Sequence, residues 1–203
     1  MCDTWAWISG WAICPERFKA AAEKALPQYE HIVLAPKPRA VEQVLATGAT
    51  RIGGYSLGSL LLLDALPRIS EQIELTCLAP FTAFCAESQR GGTTPRATLQ
   101  LLQARLSKQP SKAIKLFYRL AGLSDEPADT LPYAADDLSW GLQQLASVEV
   151  NRRSLQRAKG LVGLTDPLVR ATVLQSEWAH CILSDTATHR YDSLLAALQE
   201  HSA

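Results

Sequence analysis

A serine set between two glycines, Gly54-Tyr55-Ser56-Leu57-Gly58, is the part of this sequence with the plainest chemical potential. It follows a short β-like run, Arg51 to Tyr55, and leads straight into the apolar helical stretch Leu57 to Leu66. A serine on a sharp strand-to-helix turn presents its Oγ at the carboxyl edge of a sheet, and the glycines let backbone segments approach where a side chain would clash. Such a hydroxyl attacks an acyl carbon only if a base takes its proton and an acid fixes the tautomer of that base. For this kind of turn the partners follow in the chain order Ser, Asp or Glu, His. Gly163-Leu164-Thr165-Asp166-Pro167 supplies an aspartate just past a β-like run, and Thr188-His189-Arg190 supplies a histidine on the loop before the last helix. Ser56, Asp166 and His189 are the candidate catalytic set.

Each role has competitors. His180 falls inside an expected strand, His31 precedes an early strand and His201 is near the C-terminus, so His189 is preferred. Asp166 also suits a helix N-cap ahead of Pro167, and Asp185, just before His189, is its main rival. Acyl transfer further needs two N–H groups aimed at the developing oxyanion. Leu57, next after the serine, offers one. The turn Ile8-Ser9-Gly10-Trp11-Ala12 offers the other through Trp11, with Gly10 permitting a tight bend.

The elements that must hold these residues alternate. Thr4 to Ile8, Ile32 to Ala35, Arg51 to Tyr55 and Glu74 to Ala79 read as strands, separated by helical patterns at Pro15 to Leu26, Ala40 to Ala46 and Leu57 to Leu66. The strands are apolar on both faces, as expected of a parallel sheet covered by helices on each side. After Pro80 the rhythm breaks. About seventy residues carry no convincing strand, and Thr94 to Lys108, Pro110 to Ala121 and Asp136 to Leu145 read as helices, with Pro95 and Pro110 at expected first helical positions. Strands resume at Gly160 to Leu164 and Ala179 to Leu183, before a last amphipathic helix, Tyr191 to Leu198. The expected organisation is α/β: a core over 1–82, a helical cap over 83–155 and a second core part over 156–203.

Composition narrows the function. The chain has 203 residues, 20 basic against 20 acidic, and formal net charge zero, so nothing global steers it to nucleic acid or an anionic membrane. The apolar run Leu60 to Leu63 stops at Asp64, far short of the roughly 20 residues that span a bilayer. Neither a membrane anchor nor a secretory leader is expected, because the N-terminus lacks a basic segment followed by an apolar one. Cys2, Cys14, Cys77, Cys85 and Cys181 are odd in number and widely spaced. They suggest no disulfide framework and no zinc site, so a reducing cytoplasm, no metal and no cofactor are expected. A monomer is the expected state.

Taken together, these residues resemble an α/β-hydrolase over nearly the whole chain, Trp5 to Leu198. Within that superfamily the sequence is most similar to the pimeloyl-acyl-carrier-protein methyl ester esterases of biotin synthesis. The likeness rests on Ser9-Gly10-Trp11, Gly54-Tyr55-Ser56-Leu57-Gly58, Leu78-Ala79-Pro80 and Asp137-Leu138-Ser139-Trp140-Gly141-Leu142. It implies a serine carboxylesterase with a Ser-His-Asp acyl-enzyme mechanism; the two antiparallel strands that open the usual sheet are missing from this sequence, so about six parallel strands are expected. It also implies substrate contacts from Trp11, Leu57 and the cap residue Phe117, and an acyl carrier protein as partner, contacted by Lys112. Ser9 departs from the family pattern, standing where many relatives have histidine. Asp125, Glu126 and Asp129 also depart from it, standing where some relatives are basic. A general short-chain esterase or thioesterase on a free small molecule is the alternative, and an inactive scaffold used for binding is a further one.

The zero net charge hides a local asymmetry. From Arg90 to Arg119 there are seven basic residues and no acidic one, and from Ala121 to Val150 six acidic residues and no basic one. Lys112, Lys115 and Arg119 recur three and four residues apart, on one helix face beside the apolar face of Ile114, Phe117 and Ala121. A basic stripe suits an acidic carrier; equally, the two blocks could neutralise each other as surface ion pairs.

Overall fold

The computed structural model describes residues 3–123, 126 and 130–201, with the backbone alone at 152–154. Six parallel strands form the central sheet: β1 (Asp3–Ile8), β2 (Tyr29–Leu34), β3 (Arg51–Tyr55), β4 (Glu74–Leu78), β7 (Ala158–Gly163) and β8 (Cys181–Ser184), in the order β2-β1-β3-β4-β7-β8. The apolar strand runs dictate this arrangement. Ala6, Trp7 and Ile8 on β1 and Leu75, Cys77 and Leu78 on β4 are all buried, which requires helices on both faces. Those helices are α1 (Pro15–Ala25), α2 (Ala40–Leu45), α3 (Leu57–Ala65), α7 (Ala171–Glu177) and α8 (Tyr191–Glu200).

The chain runs from β1 out to β2 and then returns past β1 to β3. Strand order therefore reverses between β1 and β3, and in open α/β sheets the carboxyl ends at such a reversal are where ligands bind. The Gly10–Ala12 turn and Ser56 leave the sheet on these two neighbouring strands, whose register ends with Ile8 opposite Gly54.

Helices α4 (Arg96–Leu106), α5 (Pro110–Ala121) and α6 (Ala135–Ser147) lie between β4 and β7. Pro110 opens α5 as expected, whereas Pro95 is the N-cap of α4 and not its first helical residue. The expectation of a strand-free insertion needs correction. A small parallel pair, β5 (Ala83–Cys85) with β6 (Gly91–Thr94), precedes α4. Three residues are too few to show a period, and the glycines of Gly91-Gly92 mask a strand. Helix α7 was also not anticipated. Among the described residues no helix is long and apolar enough to cross a membrane, and no group of three or more His, Cys, Asp or Glu is placed to hold a metal ion.

Candidate active site

Ser56 sits in a strained turn between β3 and α3, with φ +52° and ψ −109°. A side chain at such a φ costs on the order of 1–3 kcal/mol and persists only where its surroundings over-determine it. They do so here. The Ser56 N–H donates to the Leu78 carbonyl at 2.9 Å, and the Ser59 hydroxyl reaches the carbonyls of Gly54 at 2.8 Å and Leu78 at 2.9 Å. The two motif glycines make the turn sterically possible. A Cβ on Gly54 would lie 2.5 Å from the Gly58 carbonyl carbon, and one on Gly58 would lie 2.0 Å from the Ile8 carbonyl oxygen.

Asp166 leaves the end of β7, and His189 lies on the loop between β8 and α8. The His189 Nδ1 is 2.8 Å and 3.0 Å from the two Asp166 oxygens, with Asp166 8% and His189 1% exposed. Asp166 Oδ1 also accepts the N–H groups of Leu168 at 2.8 Å and Val169 at 3.0 Å. The turn-capping role and the pairing with histidine are thus held by one carboxylate. An acceptor filled in this way requires the proton on Nδ1, which leaves the Nε2 lone pair free to act as a base. The rival Asp185 is exposed and does not pair with His189. His180 is an exposed turn residue ahead of β8 and not a strand residue. His31 lies within β2, buried, between the Trp7 indole and the Leu26 carbonyl.

Leu57 and Trp11 contribute N–H groups that the local structure leaves over. Leu57 is the first residue of α3 and has no carbonyl a helical turn earlier to meet. Trp11 is the second residue of a turn closed by the Ile13 N–H on the Gly10 carbonyl at 3.1 Å. Among the described residues neither N–H has a backbone acceptor. Trp11 is almost fully buried under the insertion, its indole packed edge-on to Phe117 at 4.8 Å.

Lys112, Lys115 and Arg119 line one cleft of about 510 Å³ together with Arg105, Tyr118 and Glu126. Among the described residues no carboxylate pairs with Lys112 or Arg119. Glu126 instead turns inward, accepting from Arg17 Nε at 2.9 Å and the Tyr191 hydroxyl at 2.6 Å. Glu149 does pair across the charge blocks, with Arg90 at 3.4 Å. Asp125 and Asp129 lie outside the described residues.

No family model and no curated protein matches the chain. Solved structures do. An esterase from Exiguobacterium antarcticum superposes with a TM-score of 0.72 at 12% identity, over 98% of this chain and 93% of that one. An N-acyl homoserine lactonase superposes with a TM-score of 0.69 at 13% identity, over 98% and 86%. A deformylase from Pseudomonas putida S16 gives 0.64 at 11%, over 97% and 91%. The chain has the α/β-hydrolase fold. At these identities the likeness speaks for the architecture alone, and what the α/β-hydrolase scaffold carries is read from its own residues.

Several residues around the candidate site were not expected from the sequence: Tyr55 and Ser59 around the elbow, and Tyr118, Tyr133 and Glu126 in the insertion. Tyr55 and Ser59 were visible as polar residues in otherwise apolar segments. The insertion residues had no local signal, since their partners are about a hundred positions away in sequence.

Proposed function

We propose that this chain is a cytoplasmic serine carboxylesterase, acting as a monomer. The observation that carries the reading is the buried Asp166–His189 pair, on the same carboxyl edge of the parallel sheet as a serine held at positive φ. His189 Nε2 takes the Ser56 proton as Oγ attacks the ester carbonyl carbon, and the N–H groups of Trp11 and Leu57 take the charge on the tetrahedral oxygen. Collapse breaks the acyl–oxygen bond, His189 returns the proton to the leaving alcohol, and an acyl-enzyme remains. Water then repeats the sequence with His189 as base, releasing the acid and free Ser56. Side chains and water complete this balance. The names of the structural neighbours, an esterase, a lactonase and a deformylase, fit acyl hydrolysis.

The substrate proposed is a methyl ester of a pimeloyl chain carried on acyl carrier protein, in biotin synthesis. Support comes from the cleft in which Lys112, Lys115 and Arg119 converge, and from Lys112 and Arg119 having no carboxylate partner among the described residues. Phe117, against Trp11, is the proposed acyl contact. The test compares a carrier-bound methyl ester with a small free ester in a Lys112→Glu/Arg119→Glu variant. The expected result is a several-fold rise in KM for the carrier-bound ester and no change for the free one. Equal effects on both contradict the docking face and favour a free small-molecule ester or thioester.

A further inference from the structure

The turn that carries Trp11 is not held by the sheet alone. It spans Gly10 to Ile13, and its third residue, Ala12, has φ +60°. A positive φ at that place is the mark of a type II turn, where glycine is the usual residue and alanine is strained. Both backbone polar groups of Ala12 are taken by tyrosines of the insertion. The Ala12 N–H donates to the Tyr133 hydroxyl at 2.7 Å, and the Tyr118 hydroxyl donates to the Ala12 carbonyl at 2.6 Å. The indole N–H of Trp11 itself donates to the Leu138 carbonyl at 2.8 Å. Helix α6 comes this close because residue 141 is glycine: a Cβ there would lie 2.7 Å from the indole.

We propose that Tyr118 and Tyr133 are positioning residues for the oxyanion hole. They fix Ala12 in its left-handed conformation and so hold the turn that presents the Trp11 N–H. The Ala12 N–H belongs to the central peptide of the turn. Without Tyr133 that peptide is free to flip toward a type I turn, in which alanine sits comfortably at negative φ. The insertion is then a part of the catalytic apparatus as well as a cover, because the hole is complete only while α5 and the segment before α6 rest on Ala12. This inference rests on the serine-hydrolase reading.

The test uses the full chain with Tyr118→Phe, Tyr133→Phe and the double variant, which keep the rings and remove only the hydroxyls. A p-nitrophenyl ester serves as substrate and an alkyl trifluoromethyl ketone as inhibitor, since its serine adduct places an oxyanion in the hole. Thermal melting is followed alongside. The expected result is a fall in kcat of about tenfold for each single variant, with KM unchanged, trifluoromethyl ketone affinity weakened by a similar factor and melting close to that of the parent. A rise in KM with kcat intact would overturn the proposal, since it would confine the tyrosines to substrate binding. A fall in kcat at unchanged trifluoromethyl ketone affinity would overturn it too, since the hole would then be intact without the hydroxyls. If the parent protein neither hydrolyses the ester nor binds the ketone, the serine-hydrolase reading fails and the positioning role with it. Full activity in the variants of an active parent removes the positioning role alone.

Discussion

The hydroxyl of Tyr55 donates to the backbone carbonyl of His189 at 2.6 Å, and their rings lie 5.5 Å apart. The residue just before the candidate nucleophile thereby anchors the loop that carries the candidate base. Burial pushes the Tyr55 phenol far above the ordinary tyrosine range, so it stays a donor. Tyr55→Phe leaves a buried carbonyl unpaired and is expected to cost about 1–2 kcal/mol of stability. It should also lower kcat with little effect on KM, because the imidazole loses its backbone anchor while the acyl contacts remain. Urea unfolding and steady-state kinetics on a free ester check both parts.

Strain at Ser56 predicts opposite effects on stability and activity. Ser56→Gly removes the side chain that positive φ penalises and is expected to stabilise the fold by about 1 kcal/mol, after the entropy glycine adds to the unfolded chain. Ser56→Ala keeps the Cβ and should leave stability near that of the parent. Both abolish ester hydrolysis. Denaturant midpoints for the three proteins decide it, and a Gly variant less stable than the Ala variant contradicts the strain argument.

Gly58 allows α3 to pack against the carboxyl end of β1. A Cβ there meets a backbone carbonyl that cannot rotate away, so Gly58→Ala must push the helix off the strand. The expected cost is about 3 kcal/mol, seen as a large drop in melting temperature. The same substitution at Gly48, where a Cβ meets nothing within 4 Å but φ is +73°, should cost only about 1 kcal/mol.

His31 predicts an acid-sensitive core. Its Nδ1 accepts the Trp7 indole N–H at 3.1 Å and its Nε2 lies 3.0 Å from the Leu26 carbonyl, an arrangement open only to neutral imidazole. Burial lowers its pKa from the ordinary value. The unfolded chain therefore takes up the proton first, and stability is full above the ordinary imidazole pKa of about 6.5 and declines as pH falls from there to the depressed folded value. Unfolding free energies at several pH values should show a flatter acid limb for His31→Gln than for the parent.

The strand-to-helix frame was legible in the sequence because parallel strands buried on both faces are continuous apolar runs. Arg51–Tyr55 and Pro110–Ala121 end where composition places them. Strand β2 begins at Tyr29, three residues before the apolar run from Ile32, because parallel pairing with β1 extends it through Glu30 and His31. The pair β5 and β6 was hidden because its pairing is tertiary and its residues carry no period. In the site, the order of Ser56, Asp166 and His189 could be read in one dimension. The tyrosines on Ala12 could not, since only the folded insertion brings positions 118 and 133 to position 12. Opposite charge blocks suggested mutual neutralisation, yet Glu126 turns toward Arg17 and Tyr191, a choice set by burial and not by sign alone.

Removing the acid partner should separate orientation from nucleophilicity. Asp166→Asn keeps the shape of the side chain but presents the imidazole with a donor, which favours the wrong tautomer, and kcat is expected to fall by about 10⁴. Substrate KM should change little. A loss of less than tenfold would mean that another group orients His189.

The central claim is that Ser56 is a nucleophile activated by His189. Its most direct measurement is labelling with a fluorophosphonate probe, with the modified residue located by peptide mass spectrometry, in the parent protein and in Ser56→Ala and His189→Ala variants. The expected result is a single adduct on Ser56, absent in Ser56→Ala and strongly slowed in His189→Ala. A folded parent protein that takes no label and hydrolyses no activated ester, or one that carries the label on another residue, would contradict it and leave the scaffold as a binding protein.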